Sequence, residues 1–134
     1  MKKKICLVVA NYYPKISKSL VLAALKTLQS KGVNNCKIFK VPGVFEIPFV
    51  ISKNINKYDA FIALGCVIRG ETPHFEFISN STINALMHLS ISYKKPISNG
   101  IITCYNKKQA LDRSSRRNNK GKESATAVLT LLKI

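Results

Sequence analysis

The sequence predicts an α/β protein: a three-layer α/β/α sandwich built on a four-stranded parallel sheet. Four short apolar runs alternate along the chain with longer segments in which apolar residues recur every three or four positions. Strands that alternate with helices form βαβ units with right-handed crossovers, and these units bury a parallel sheet between two helical layers. A length of 134 residues with 46% apolar content suffices for a single globular domain, spanning residues 1–134, and no linker or repeat divides it.

The first half of the chain supplies two strands and two helices. Residues 5–10 and 36–41 are the apolar runs that predict the strands. Between them, a first helix ends at Gly32 and carries one apolar face, formed by Ile16, Leu20, Ala23, Ala24 and Leu28. A second helix is predicted over residues 45–56, with Pro48 in its first turn.

The second half repeats the alternation. Residues 58–64 predict a buried strand, and a helix follows with Thr72 as its N-cap and Pro73 at its first position. The apolar face of this helix comprises Phe75, Ile78, Thr82, Ala85 and Leu89. A fourth strand at residues 97–104, a polar helix at 107–113, a loop at 118–119 and a closing helix at 122–132 complete the chain.

The unusual residues of the sequence follow strands rather than precede them. Residues 11–14, 41–46 and 69–74 follow the first, second and third strands, respectively. In an open parallel sheet these loops all lie at the carboxyl edge, where ligands bind. The free N–H groups around residues 70–72 lie at a helix start and suit an anion such as phosphate. His74, in the same first turn, is a candidate base.

The net charge of +16 and the four cysteines favour ordinary structural roles over specific binding sites. The densest basic run, residues 113–122, has no interleaved aromatics, which favours a solvated basic surface over a specific nucleic-acid site. The cysteines are far apart and lie in or beside strand-like runs, so core thiols are favoured over disulfides or a metal site. No apolar run reaches the length of a membrane span, and residues 5–10 are too short for a signal peptide, so the expected compartment is the cytoplasm.

Standard cofactor and metal motifs are missing from the sequence. It has no dinucleotide-binding glycine pattern, no P-loop, no nucleophile elbow and no metal-ligand cluster. His88 lies about four turns from His74 on the same helix, so the two cannot share a metal ion. The residues therefore point to cofactor-free acid–base chemistry on a phosphorylated compound, or to binding of a phosphate-bearing ligand.

Three segments carry a resemblance to a known family. Residues 41–48 (VPGVFEIP), 65–76 (GCVIRGETPHFE) and 98–103 (SNGIIT), with Arg113 and the run 119–121, closely resemble 6,7-dimethyl-8-ribityllumazine synthases over nearly the whole chain. The resemblance implies a flavodoxin-like fold and a step of riboflavin biosynthesis. In that step 5-amino-6-ribitylamino-uracil condenses with 3,4-dihydroxy-2-butanone 4-phosphate, with release of phosphate and water. It implies no cofactor, no metal and no covalent enzyme intermediate.

The resemblance also implies roles for individual residues. His74 matches the general base, Tyr12 the aromatic that stacks on the pyrimidine, and Glu46 the acceptor of ribityl hydroxyls. Further substrate-binding positions are Val44 and Phe45 in the ribityl loop, Cys66, Val67 and Ile68 in the pyrimidine pocket, and Glu71 and Thr72 in the phosphate site. Asn99, Arg113 and Lys120 match positions that reach the site from a neighbouring subunit, with Arg113 holding phosphate.

The chain departs from the family pattern in three places, and two other classes of function stay open. Tyr12 adds a hydroxyl to the stacking ring, Asn99 replaces a common aromatic, and the segment from Arg113 to Lys120 is one residue shorter than usual.

The resemblance implies a homo-oligomer, either a pentamer or a sixty-subunit shell of pentamers, with no membrane and no specific nucleic acid as partner. The alternatives are a flavodoxin-like module that binds its ligand without turnover and a basic RNA-binding protein.

Overall fold

A computed structural model describes residues 2–134 of the chain; Met1, the first residue of the predicted domain, lies outside the described residues. The elements, in order, are β1 (Ile5–Ala10), α1 (Pro14–Ser30), β2 (Lys37–Val41), α2 (Ile47–Lys53), β3 (Ala60–Ile68), α3 (His74–Tyr93), β4 (Ile97–Cys104), α4 (Lys107–Arg113) and α5 (Lys120–Leu132). Within this part of the chain, no helix has the length and apolarity that crossing a membrane requires.

The four strands form one parallel sheet in the order β2-β1-β3-β4. The carboxyl ends of neighbouring strands are in register, since Ala10 pairs with Val41 and Ile68 pairs with Cys104. The chain moves outward from β1 to β2 and then returns across β1 to β3. Connections leave β1 and β3 in opposite directions at this point, which opens a crevice at the carboxyl edge between them.

Two apolar layers cover the sheet, as alternation of side chains along a strand requires. Ile5, Leu7 and Val9 of β1 pack on one face with α1, α4 and α5. Cys6 and Val8 point to the opposite face and pack with α2 and α3. The predicted three-layer α/β/α sandwich with a parallel four-stranded sheet is therefore confirmed.

Several predicted boundaries shift, each for a local reason. The helix predicted over residues 45–56 is a 3-10 turn at Val44–Glu46 followed by α2, which ends at Lys53. The strand predicted to end at residue 64 continues to Ile68, because β4 pairs with each of its last four residues. The closing helix begins at Lys120, two residues early, because the Asn119 side chain accepts hydrogen bonds from the N–H groups of Gly121 and Lys122 (2.8 and 3.4 Å).

The predicted N-cap of α3 is wrong. The helix begins at His74, and Pro73 occupies the N-cap position without a side-chain hydrogen bond. The Pro73 carbonyl accepts from the N–H groups of Glu76 and Phe77 (3.1 and 3.2 Å), so the helical hydrogen bonds start one residue later than the Thr72 assignment requires. Thr72 instead belongs to an exposed bend between β3 and α3.

Candidate active site

A groove of about 500 Å³ opens at the crevice between the carboxyl ends of β1 and β3. Two loops, the end of β3 and the start of α3 contribute to its wall. Most of the sequence-predicted site residues line it together: Tyr12, Val44, Phe45, Glu46, Cys66, Val67, Ile68 and His74. The arrangement follows from the parallel sheet, which brings the ends of separate strands to one edge.

An aromatic pair forms one wall of the groove. Tyr12 is 71% exposed and meets Tyr13 edge to face, with ring centroids 5.0 Å apart and an interplanar angle of 74°. Tyr13 is half-buried, and burial raises the pKa of its hydroxyl above the ordinary value. Tyr13 therefore anchors the pair to the core while Tyr12 presents aromatic surface to a planar ligand.

The 3-10 turn Val44–Glu46 forms the opposite wall. Val44 is buried against the sheet, whereas Phe45 and Glu46 are exposed to the groove. One carboxylate oxygen of Glu46, Oε1, accepts a hydrogen bond from the Gly43 N–H at 2.9 Å. The bond holds the carboxylate at the groove and leaves its second oxygen available for a ligand's hydroxyl group.

The end of β3 supplies the floor. Cys66 is buried there, and Val67 and Ile68 are half-buried. Burial, together with the neighbouring Cys104 thiol, raises the pKa of Cys66 to about 12. Cys66 is consequently a neutral, weakly polar part of the wall at neutral pH, and the thiolate needed for nucleophilic attack is scarce.

His74 stands at the rim, as the first residue of α3, and its side chain is exposed. The bend before it carries Glu71 and Thr72, which are exposed and lie outside the lining of the groove. In the described part of the chain, the backbone N–H groups of Gly70, Glu71 and Thr72 make no hydrogen bond. These donors at the start of a 20-residue helix offer a place for an anion.

The three remaining predicted residues lie elsewhere. Asn99, Arg113 and Lys120 line a second cleft of about 570 Å³ beside the edge strand β4, together with Asp112 and Glu123. Lys120 forms an ion pair with Glu123 at 3.4 Å, and the Asn99 side chain accepts from the Ile101 N–H at 3.0 Å. No residue lines both this cleft and the groove, so Arg113 and His74 do not share a pocket in the described chain.

Arg113 also borders a smaller cavity of about 360 Å³ with Phe75, Glu76 and Ser79 of α3. These three residues of α3 line a different cavity from His74 and Ile78, which line the groove. The guanidinium is exposed, and its one hydrogen bond within residues 2–134 is a long one to the Gln109 carbonyl (3.5 Å). A positively charged group is thus displayed beside β4 without a carboxylate partner in the described chain.

Sequence reasoning missed four groove residues: Tyr13, Pro42, Gly43 and Ile78. Tyr13 and the Pro42-Gly43 pair lie inside motifs that the sequence had already marked. Ile78 follows His74 by four residues on α3, a spacing that places both on one face of a helix. The helical period therefore contained the signal for Ile78, whereas contacts across the groove did not follow from any local pattern.

A cluster of five lysines lies away from both clefts. Lys2, Lys3, Lys4, Lys31 and Lys133 surround a cavity of about 620 Å³ that α1 and α5 also line. None of these lysines lines the groove or the second cleft. Among residues 2–134 no group of three side chains is placed to hold a metal ion.

Comparison with known proteins matches the chain over its length. The model of a family described as 6,7-dimethyl-8-ribityllumazine synthase matches residues 2–134. The 6,7-dimethyl-8-ribityllumazine synthase of Bartonella tribocorum is 41% identical over 98% of this chain and 91% of the relative. The protein of the same name from Ruthia magnifica is 38% identical over 98% of this chain and 84% of the relative. That from Mycobacterium leprae is 35% identical over 92% and 79%, respectively.

Proposed function

The chain belongs to the 6,7-dimethyl-8-ribityllumazine synthase family, and we propose how its groove and its second cleft divide the family's reaction between them. The reaction joins 5-amino-6-ribitylamino-uracil to 3,4-dihydroxy-2-butanone 4-phosphate. The aromatic amine attacks the ketone and forms an imine with loss of water. Phosphate is then eliminated, and the ribityl-bearing nitrogen closes the second ring with loss of another water.

The groove binds the pyrimidine substrate. Tyr12 stacks on the planar ring, and Val67 and Ile68 form the apolar floor beneath it. The free oxygen of the Glu46 carboxylate accepts hydrogen bonds from the ribityl hydroxyls. The gathering of these groups around a single cavity of about 500 Å³ is the observation that carries this proposal.

The butanone phosphate binds at the start of α3. The N–H groups of Gly70 to Thr72 hold the phosphate, and the partial positive charge of the helix terminus adds to the attraction. His74 then lies beside the reacting carbons, where it removes the proton whose loss drives out phosphate. The chemistry takes place between two bound substrates, and alignment of the amine with the ketone supplies a large part of the acceleration.

A neighbouring copy of the chain completes the site. Arg113, Lys120 and Asn99 do not line the groove of their own chain, so we assign them to the groove of the next subunit. Arg113 pairs with phosphate through the fork of its guanidinium, and it is exposed without an acidic partner in the described chain. Large apolar side chains are exposed on α2 and α3, including Phe49 (70%) and Phe77 (67%), which suits burial against another copy.

The oligomer that follows is a closed ring, a pentamer that stands alone or joins others in a sixty-subunit shell. Head-to-tail repetition of one interface closes into a ring, and each interface then holds one complete site. The described residues act as one catalytic domain, and the enzyme works in the cytoplasm.

The test is to mix the purified protein with both substrates and follow the fluorescence of the lumazine product. Product formation that depends on both substrates and on enzyme concentration supports the proposal. His74→Ala is the matched control, because it removes the base and leaves the groove. Binding of the pyrimidine without product, in wild-type protein that is assembled, would identify a ligand-binding module instead of an enzyme.

A further inference from the structure

Gly65 lies in the middle of β3, beneath the 3-10 turn Val44–Glu46, which we call the ribityl-binding turn. A Cβ atom built on Gly65 would lie 2.8 Å from Cγ1 of Val44 and 3.0 Å from Cβ of Ala10. Carbon atoms in contact are normally about 3.5–4.0 Å apart. Any side chain at this position would therefore displace Val44, Ala10 or both.

Backbone conformation does not explain this glycine. Gly65 pairs with Ile101 in the regular parallel ladder, and among the described residues the only glycine with a positive φ is Gly32. An alanine could adopt the same strand conformation without strain. Gly65 is thus required for space, which the Val44 side chain fills most closely and Cβ of Ala10 limits from β1.

The turn above Gly65 is fixed at both ends. Val44 is 5% exposed and sits on the strand, and Glu46 is tied back to the Gly43 N–H at 2.9 Å. Gly43 is similarly restricted, since a Cβ there would lie 3.2 Å from Glu46 Oε1. Phe45 and Glu46 follow Val44 in the turn and line the groove. Their positions therefore depend on how deeply the Val44 side chain is buried.

We propose that Gly65 is a positioning residue for the ribityl-binding turn: by carrying no side chain it lets Val44 sit on β3 and so sets the depth at which Glu46 meets the polyol chain. The inference rests on the proposed function, because it assigns the turn to the ribityl group. Relief of the 2.8 Å contact requires a movement of about 1 Å. Displacements of that size cost up to about a hundredfold in enzymes.

The experiment measures steady-state KM for each substrate in Gly65→Ala. We expect KM for the ribityl-bearing pyrimidine to rise about tenfold, since the turn moves outward, while KM for the butanone phosphate stays within about twofold. A mere packing defect has no reason to select one substrate. Leu28→Ala is the control for such a defect: this fully buried side chain on α1 is remote from the groove, so its loss lowers the unfolding temperature and leaves both KM values near wild type.

A compensating change tests the contact itself. Val44→Ala removes the closer of the two atoms that a Cβ at Gly65 would strike and leaves Cβ of Ala10 at 3.0 Å. The double variant Gly65→Ala/Val44→Ala should therefore recover most of the rise in the pyrimidine KM, measured against Val44→Ala alone. Val44→Ile extends the same Cγ1 atom and should reproduce the selective rise without any change at Gly65, which keeps the test available if Gly65→Ala does not fold. Equal changes in both KM values, or no compensation in the double variant, would overturn the inference. Wild-type protein without turnover would defeat the proposed function instead, so the two failures are distinguishable.

Discussion

The groove between β1 and β3 and the cleft beside β4 lie on one fold but differ in nearly every property that matters for binding. The groove is walled by aromatic and aliphatic side chains, with one carboxylate and one imidazole at its edge. The cleft is polar. It lies beside the edge strand β4 and exposes Arg113 from α4 and Lys120 from α5. The groove can select a substrate by shape and stacking, whereas the cleft can attract an anion and hold it by charge.

Neither region suffices for a reaction that joins a planar heterocycle to a phosphate ester. Among the described residues, the groove lining includes no lysine or arginine for the leaving phosphate, and the cleft lining includes no aromatic ring and no imidazole. A ring in which each groove meets the cleft of the next copy combines the two sets of groups without requiring either to move within its own chain. The separation seen within a single chain is thus what a shared site predicts.

The largest expected effect concerns His74, the proposed base of the groove. His74→Ala should lower kcat by about a hundred- to ten-thousandfold, the range that positioned proton transfer contributes. The loss will be near the lower limit if alignment of the two substrates dominates the acceleration. Turnover should be measured in protein whose oligomeric mass and product binding match wild type. Unchanged kcat in such a variant would remove His74 from the mechanism.

The cleft's contribution should appear in a different kinetic parameter. Hydrogen bonds to charged groups contribute about 1.5–3 kcal/mol, so Arg113→Ala should raise KM for the butanone phosphate about ten- to a hundredfold. KM for the pyrimidine should change little, and Arg113→Lys should restore only part of the loss, because an ammonium cannot reproduce the guanidinium fork.

Arg117→Ala provides the matched control for this measurement. Arg117 carries the same charge four residues further along, is exposed, and lies outside the cleft lining. Its removal should leave both KM values near wild type. A loss shared equally by the two substrates in Arg113→Ala would assign that residue a structural role and leave the phosphate to the N–H groups before α3.

Mixing the two variants tests whether groove and cleft come from different chains. A complete interface needs the Arg113→Ala chain to supply the groove and the His74→Ala chain to supply the cleft. In an equal random mixture that pairing occurs at about one interface in four, so co-refolding should restore roughly a quarter of wild-type activity. Particles that contain both chains and stay no more active than the average of the two variants would place both residues in one chain's site.

These two regions also differ in how far the sequence predicts them. The groove follows from the order of elements, because loops after parallel strands meet at one edge wherever the sheet forms. His74 and Glu46 could be placed there from strand and helix periods alone. The position of Arg113 relative to that edge could not be predicted in the same way, because it depends on the strand order, which places β4 outside β3. Only the family resemblance indicated that Arg113 would serve another subunit.

Smaller errors had local causes that a periodicity pattern does not contain. The strand at residues 60–68 runs four residues beyond its predicted end because its neighbour offers four further pairing positions, a tertiary effect. Pro73 displaces Thr72 as the N-cap because of where its carbonyl finds helical partners. Gly65 opens the motif at residues 65–76, but no pattern in the sequence shows what its missing side chain makes room for. Its importance follows only from how closely Val44, in the 3-10 turn, and Ala10, in β1, approach it.

The smallest expected effect concerns the hydroxyl that Tyr12 adds to the groove's aromatic platform. Stacking between an aromatic side chain and a base contributes about 1–3 kcal/mol, so Tyr12→Ala should raise the pyrimidine KM about five- to a hundredfold. Tyr12→Phe keeps the ring, and the exposed hydroxyl it removes already exchanges hydrogen bonds with water, so KM should change by less than about twofold. The edge-to-face contact with Tyr13, at 5.0 Å, should orient either ring alike. Comparable losses in Tyr12→Phe and Tyr12→Ala would mean that the groove reads the pyrimidine through the hydroxyl. Tyr12 would then bind the pyrimidine mainly by a polar contact, and the groove would not differ from the cleft by selecting its ligand through stacking.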